Sequence, residues 1–279
     1  AASLAEVLGE SGGRWSRTAE TLTANIPRWF DPDRDVFVDA IVDGERQTHF
    51  SEHALSLLAA FDLAPADMVA SALNCWADAP ESFGQTSPGW AWLPAAFIRA
   101  GRPDLAVRWI HARLDGLDRQ GMDTWPETWC LYAERTTGQW RCRNSRAVAQ
   151  GAGLGTPAAL LHDLCGIQPA EPGFAAVRIV PQPGPLTALA GKRPGPDGDY
   201  AMALEKRSDG WDLKLRLPSP RRVILDAAFA PEVRRIRVDG TDLDAATVYA
   251  MPDGRDVGRF AWNAEASSEI EVMHPLTEV

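Results

Sequence analysis

The hydrophobic period of this chain changes once, and that change limits the folds open to it. Up to Gly166 the apolar residues recur mostly every three or four positions, as in Leu4, Val7, Leu8, Trp15, Ala19, Leu22 and Ile26. Leu105, Val107, Trp109, Ile110 and Leu114 repeat the pattern. Such spacing gathers them on one face of a helix. From Phe174 the period is two. Trp211, Leu213, Leu215 and Leu217 alternate with Asp212, Lys214 and Arg216, which is the signature of a strand with one face on a core. The expectation is a mainly α part over residues 1–168 followed by an all-β part over 169–279. Pro169 to Pro172 forms the joint.

Within the first part, helices are expected over 1–26 (with Gly12-Gly13 as the point where it would break), 51–61, 66–76, 89–100, 104–117 and 156–165. Ser51 is the expected N-cap of the second, and Gly101 and Gly166 stand just past two C-termini. Residues 29–35 read as an Asp/Pro loop leading into a short strand near 36–40. Successive helix pairs of this length suggest a toroid or a bundle. In the second part, strands are expected at 177–180, 200–205, 211–217, 223–225, 236–238 and 270–272. Ser208-Asp209-Gly210 and Asp239-Gly240 are turn signals, and the sum predicts an antiparallel β-sandwich.

Charge and composition remove several function classes. The net charge is −10 and no basic stripe stands out, which argues against a nucleic-acid partner. No apolar run approaches the roughly 18 residues of a membrane span, so no membrane partner is expected, and no signal peptide opens the chain. Cys75, Cys130, Cys142 and Cys165 lack CxxC spacing. They read as buried thiols of a reducing compartment, with a Cys130–Cys142 disulfide as the alternative. That favours a cytoplasmic over a periplasmic setting. No cofactor is expected: there is no GxGxxG after a strand and no P-loop, and Gly151 to Gly155 lacks a Lys. The acidic run Asp31, Asp33, Asp35 lacks the Gly and terminal Glu of a calcium loop, and His49 and His53 are not an HExxH pair.

Eleven Trp against three Tyr is the compositional outlier, and nine of the Trp precede residue 141. Two of them flank one carboxylate in Met122-Asp123-Thr124-Trp125-Pro126-Glu127-Thr128-Trp129. Indole faces are platforms for the apolar face of a sugar ring, and they exclude water, which raises the pKa of a carboxylate beside them. Glu127 is therefore a candidate general base or acid. The competing reading makes both Trp core residues and Glu127 a helix N-terminal acid. Asp123, Asp35 and Asp39 are further acids within reach of the same cleft, with nothing in the spacing to fix their distances.

Three stretches together resemble the bacterial α-L-rhamnosidases of glycoside hydrolase family 78. Phe50 to Leu58 is similar to the helix that follows their aromatic loop. Trp90 through Trp129 is similar to a helix pair running into a T-x-W-E-x-W-like segment. Gly166 to Pro181 resembles their exit from the helices into a C-terminal domain, and Pro185-Leu186 and a turn over Gly191 to Asp199 fit the same scheme. The resemblance implies part of a six-hairpin (α/α)6 toroid followed by a β-sandwich, and inverting hydrolysis of terminal α-L-rhamnosides on a carbohydrate substrate. It puts Glu127 in the place of the base, Trp125 and Trp129 on the walls of the sugar site, Trp90 among the substrate-binding residues and His53 near the rim.

Two departures stand out. The family's general acid belongs to the first half of the toroid, and only about seven helices are counted where six hairpins need twelve. The missing N-terminal half is expected in the same or a partner chain. After the base the family often has a Ser-x-His-Ala-Trp-like segment; here Ser145-Arg146-Ala147-Val148-Ala149 stands there. Arg146 cannot shuttle a proton. It would either pair with a nearby acid or bind the carboxylate of a uronic sugar. A sugar-binding remnant without turnover is the alternative function.

Overall fold

The computed structural model describes residues 4–5, 8–75, 77, 87–119, 160–250 and 255–273. The first helix, α1, runs Gly13–Asn25, starting where Gly12-Gly13 interrupts the pattern, and buries none of its residues. A 3-10 turn, Ile26–Trp29, follows. The expected strand near 36–40 is shorter and paired: β1 (Phe30–Asp31) lies antiparallel to β2 (Val36–Phe37), with the Phe30 and Phe37 rings edge to face at 5.2 Å. A second small hairpin joins β3 (Ile41–Val42) and β4 (Glu45–Arg46). Its turn residues Asp43 and Gly44 both have positive φ, as a tight hairpin of this twist requires.

Helix α2 spans Glu52–Ala60 and α3 Ala66–Asn74, two residues short of the expected end. Ser51 is the N-cap of α2 with extended backbone, yet its hydroxyl does not cap the helix. It donates instead to Asp39 at 2.9 Å, so the loop carboxylate competes for it. Helix α4 (Ser87–Arg99) carries Pro94 inside it, and α5 (Pro103–Arg119) opens on proline. Between them Gly101 takes φ +78. Its amide donates to Ile98 and that of Arg102 to Phe97, closing α4 with paired C-terminal hydrogen bonds. Leu93, Phe97, Ile98, Leu105, Trp109 and Ile110 from this pair join Leu55, Val69 and Leu73 in one helical core. Arg113, 1% exposed, stacks its guanidinium 5.1 Å from the centre of the Trp109 ring. Among the described residues no helix is long and apolar enough to cross a membrane.

The next described element is a π-helical turn, Leu160–Leu164, which contacts α4; the earlier part of the helix expected from 156 lies outside the described residues. Gly166 follows with φ +68. From there the backbone is extended: β5 (Ile167–Pro169), β6 (Ala176–Ile179), β7 (Ala188–Gly195), β8 (Gly198–Lys206), β9 (Gly210–Arg216), β10 (Arg221–Asp226), β11 (Arg235–Val238), β12 (Thr241–Asp244), β13 (Thr247–Ala250), β14 (Asp256–Ala264) and β15 (Ser267–Met273). One sheet has the order β13-β14-β10-β6-β5 and the other β12-β11-β15-β9-β8-β7. Both contribute to one core: Val177, Ile179, Val223, Leu225 and Phe260 from the first meet Tyr200, Leu204, Leu213, Ile236 and Ile270 from the second.

Three expectations are corrected here. The sheets are not wholly antiparallel, because β6 and β10 run parallel, Ala176 opposite Arg222. The turn expected over Gly191 to Asp199 is mostly strand: Gly191 to Gly195 pair with β8, and only Pro196-Asp197 link the two strands. Cys75 is exposed, whereas Cys165 is buried as expected. Cys130 and Cys142 lie outside the described residues. Leu189 of β7 packs against both the sheet core and the helical core.

Candidate functional site

Glu127, Trp125, Trp129 and Arg146 lie outside the described residues, as does Asp123. What the structure gives is the frame on either side: α5, ending at Arg119, and the Leu160–Leu164 turn. Trp90 sits in the first turns of α4, a helix whose Leu93 and Ala95 to Ile98 are buried. His53 is in the first turn of α2 and half-buried, with its carbonyl accepting from the Ser56 hydroxyl at 3.2 Å.

The acidic loop ahead of α2 is a set of fixed contacts. Arg34 organises it. The guanidinium binds Asp31 at 2.7 Å and donates to the carbonyls of Thr48 at 2.7 Å and Gln47 at 3.1 Å. It also lies 5.9 Å from the centre of the Phe50 ring. The Arg34 hydrogen bond holds the Asp31 carboxyl below the usual carboxylate range. Asp35 accepts a hydrogen bond from Ser71 of α3 at 2.6 Å and has φ 55, a left-handed setting Asp tolerates better than most residues. Asp39 takes the Ser51 amide at 3.1 Å and its hydroxyl on one oxygen, and His49 Nδ1 on the other.

This arrangement decides what the loop can do. Ser51, His49 and Asp39 are the residue types of a nucleophilic triad, but the serine hydroxyl is spent on the carboxylate and not on the imidazole, so nothing activates it. Asp35 and Asp39, both considered as acids for the cleft, are tied to α3 and to the start of α2. They act as loop fasteners. Among the described residues no cluster of three His, Cys, Asp or Glu is placed to hold a metal. Sequence reasoning missed the part played by Arg34, whose contacts reach residues 13 and 14 positions away. No local pattern announces such reach.

No family model and no curated protein matches the sequence. Solved structures do. The α-L-rhamnosidase of Streptomyces avermitilis, complexed with L-rhamnose, superposes with a TM-score of 0.69 at 19% identity, over 97% of this chain and 25% of that one. The α-L-rhamnosidase from Dictyoglumus thermophilum gives 0.68 at 13% identity, over 98% and 30%. The GH78 family rhamnosidase of Bacillus sp. GL1 gives 0.54 at 23% identity, over 68% and 20%. The present chain spans no more than about three tenths of the length of these enzymes. At these identities the likeness is one of fold: nearly the whole chain is built like a part of an α-L-rhamnosidase.

Proposed function

We propose that the chain forms part of an inverting glycoside hydrolase of the family 78 kind, cleaving terminal α-L-rhamnosyl residues. In this reading residues 1–168 belong to an (α/α)6 toroid and 169–279 form the C-terminal β-sandwich. Glu127 is the general base that deprotonates the attacking water. Trp125 and Trp129 wall the ring, and Trp90, His53 and Arg146 contribute to substrate binding. The observation that carries the reading is the fold shared with α-L-rhamnosidases over 97% and 98% of the chain, together with a Glu that stands two residues from a Trp on each side in the sequence.

Inversion requires an acid and a base about 6.5–9.5 Å apart, with water between. Asp31, Asp35 and Asp39 are engaged in loop contacts, which favours an acid supplied from further toroid helices in the same or a partner chain. Helix α1 is suited to meet such helices. It buries nothing of its own, and Trp15 and Leu22 are 48% and 65% exposed.

The test is release of p-nitrophenol from its α-L-rhamnoside by the product of the full reading frame. Glu127→Gln is expected to lower kcat by about 10²–10⁴ with little change in KM. Proton NMR of the first product is expected to show the inverted anomer. Binding of L-rhamnose without turnover by the intact product would favour the sugar-binding remnant, a reading to which the engaged loop acids also lend support.

A further inference from the structure

A recess of about 350 Å³ opens where the helical part meets the sheets. Its wall takes Asp62 from the turn after α2, Arg99 from the last turn of α4 and Asp163 from the π-helical turn. Arg178 comes from β6, Gln182 from the link into β7 and Tyr249 from β13. Several separate segments, β5 with Gln168 among them, thus bring polar side chains to one place.

Three observations point to a ligand. Gln182 is only 8% exposed, and its Oε1 has no hydrogen-bond partner. A buried amide oxygen is costly to leave without a donor; this one is itself closed to solvent, so a ligand hydroxyl satisfies it only if the Gln182 side chain turns toward the recess. Arg99 approaches Asp163 no closer than 3.7 Å, an ion pair too long for a hydrogen bond, so its donors are still available. Tyr249 stacks one face on Arg259, 4.8 Å from the guanidinium carbon, and borders the recess beside Ile98 and Val180.

Charge selects the class of ligand. Asp62 and Asp163 balance Arg99 and Arg178 in the wall, and Asp226 behind Arg178 is paired also with Arg259. An anion would meet two carboxylates and a cation two guanidiniums. A neutral molecule with several hydroxyls, each able to donate and accept, matches a wall that offers both roles within a small space. The volume is near the lower end of the roughly 300–1,000 Å³ of small-molecule sites. We propose that the recess binds a neutral polyol of monosaccharide size. Its wall uses none of the residues assigned to catalysis, and the inference does not rest on the rhamnosidase reading.

Saturation-transfer NMR with L-rhamnose tests it, in the chain carrying Trp125→Ala and Glu127→Gln so that the proposed catalytic subsite is disabled. Saturable binding is expected to persist in that background. Adding Arg99→Met or Gln182→Leu is expected to weaken it by about tenfold. The Arg99 side chain is 38% exposed, so its replacement keeps the fold if Gln182→Leu does not; circular dichroism checks both. Loss of saturable binding in the Trp125/Glu127 background, or binding indifferent to both wall substitutions, overturns the proposal. So does tighter binding of D-glucuronate or inorganic phosphate than of L-rhamnose, which would make the recess an anion site. A failure here leaves the Glu127 activity test untouched, and the reverse holds too.

Discussion

Single residues in the sheets show how charge is tolerated inside this fold. Asp226 ends β10 with no exposure. Arg178 of β6 donates to it at 2.7 Å, and Arg259 of β14 at 2.6 and 3.1 Å. One carboxylate thus satisfies two guanidiniums from the strands on either side, the condition under which a buried charge is tolerated. Asp226→Ala leaves both cations facing one another, partly screened because each is about a third exposed. A loss of about 3 kcal/mol is expected, read as a lower urea midpoint at unchanged slope. Asp197 is different because it lies in a surface turn. Tyr200 donates to it at 2.7 Å and Ser219 at 3.1 Å, and Arg221 pairs with it. The Tyr200 and then the Arg221 hydrogen bonds bring its carboxyl down to about 2. Because the folded value is depressed, its stabilisation is complete above the ordinary carboxyl value of about 3.9 and disappears as pH falls through the folded one. The Tm difference between the protein and Asp197→Asn is therefore expected to be constant from about pH 5 upward and to narrow between about 4 and 2. A gap that stayed the same at low pH would place the stabilisation elsewhere.

At the scale of elements, the joint between the two parts rests on Gly166. A Cβ there would lie 2.1 Å from the Val180 carbonyl oxygen, and the backbone is left-handed as well. Gly173 has nearly the same φ, +66, but open space around it. Gly173→Ala is expected to cost about 1 kcal/mol, the backbone penalty alone, and Gly166→Ala at least about 2 kcal/mol more from the clash. Thermal melts of the two variants separate the contributions. Elements of this kind differ in how readable they were. Helices α4 and α5 follow from apolar spacing and, for the end of α4, from Gly101 as a stop signal, all local. Strands β8, β9 and β15 follow from alternation. Strands β7, β12 and β13 did not, because they bury no residue fully and so carry no apolar rhythm. Strand β14 is broken in the sequence by Gly258, where a Cβ would come 2.6 Å from the Val233 carbonyl. The parallel partner of β6 was unreadable because local turns report only neighbouring strands. The candidate site divides in the same way. Glu127 between two Trp is a short-range pattern, whereas the Arg34 loop and the recess at the joint are assembled from distant segments.

For the molecule as a whole, two cores meet in the link that leads into β7. Leu186 packs on the helical core, and Leu189 on both. Gly184 brings the link into β7 against Pro103, at the start of α5, where an added Cβ would stand 3.0 Å from its backbone. Close backbone approach thus joins apolar packing where the helical part meets the sheets. The parallel pairing of β6 with β10 bears on how such a molecule comes together. Residue 176 must wait for residue 222, while β7, β8 and β9 need only their own hairpins. Short closures are entropically cheaper than long ones. During refolding, pulsed hydrogen exchange is expected to protect the amides of Leu204 and Leu213 before those of Val177 and Leu225; simultaneous protection would speak against it. Until that late step the flanks of β6 and β10 are bare ribbon edges, and this is the stage at which a nascent chain would be most prone to aggregate.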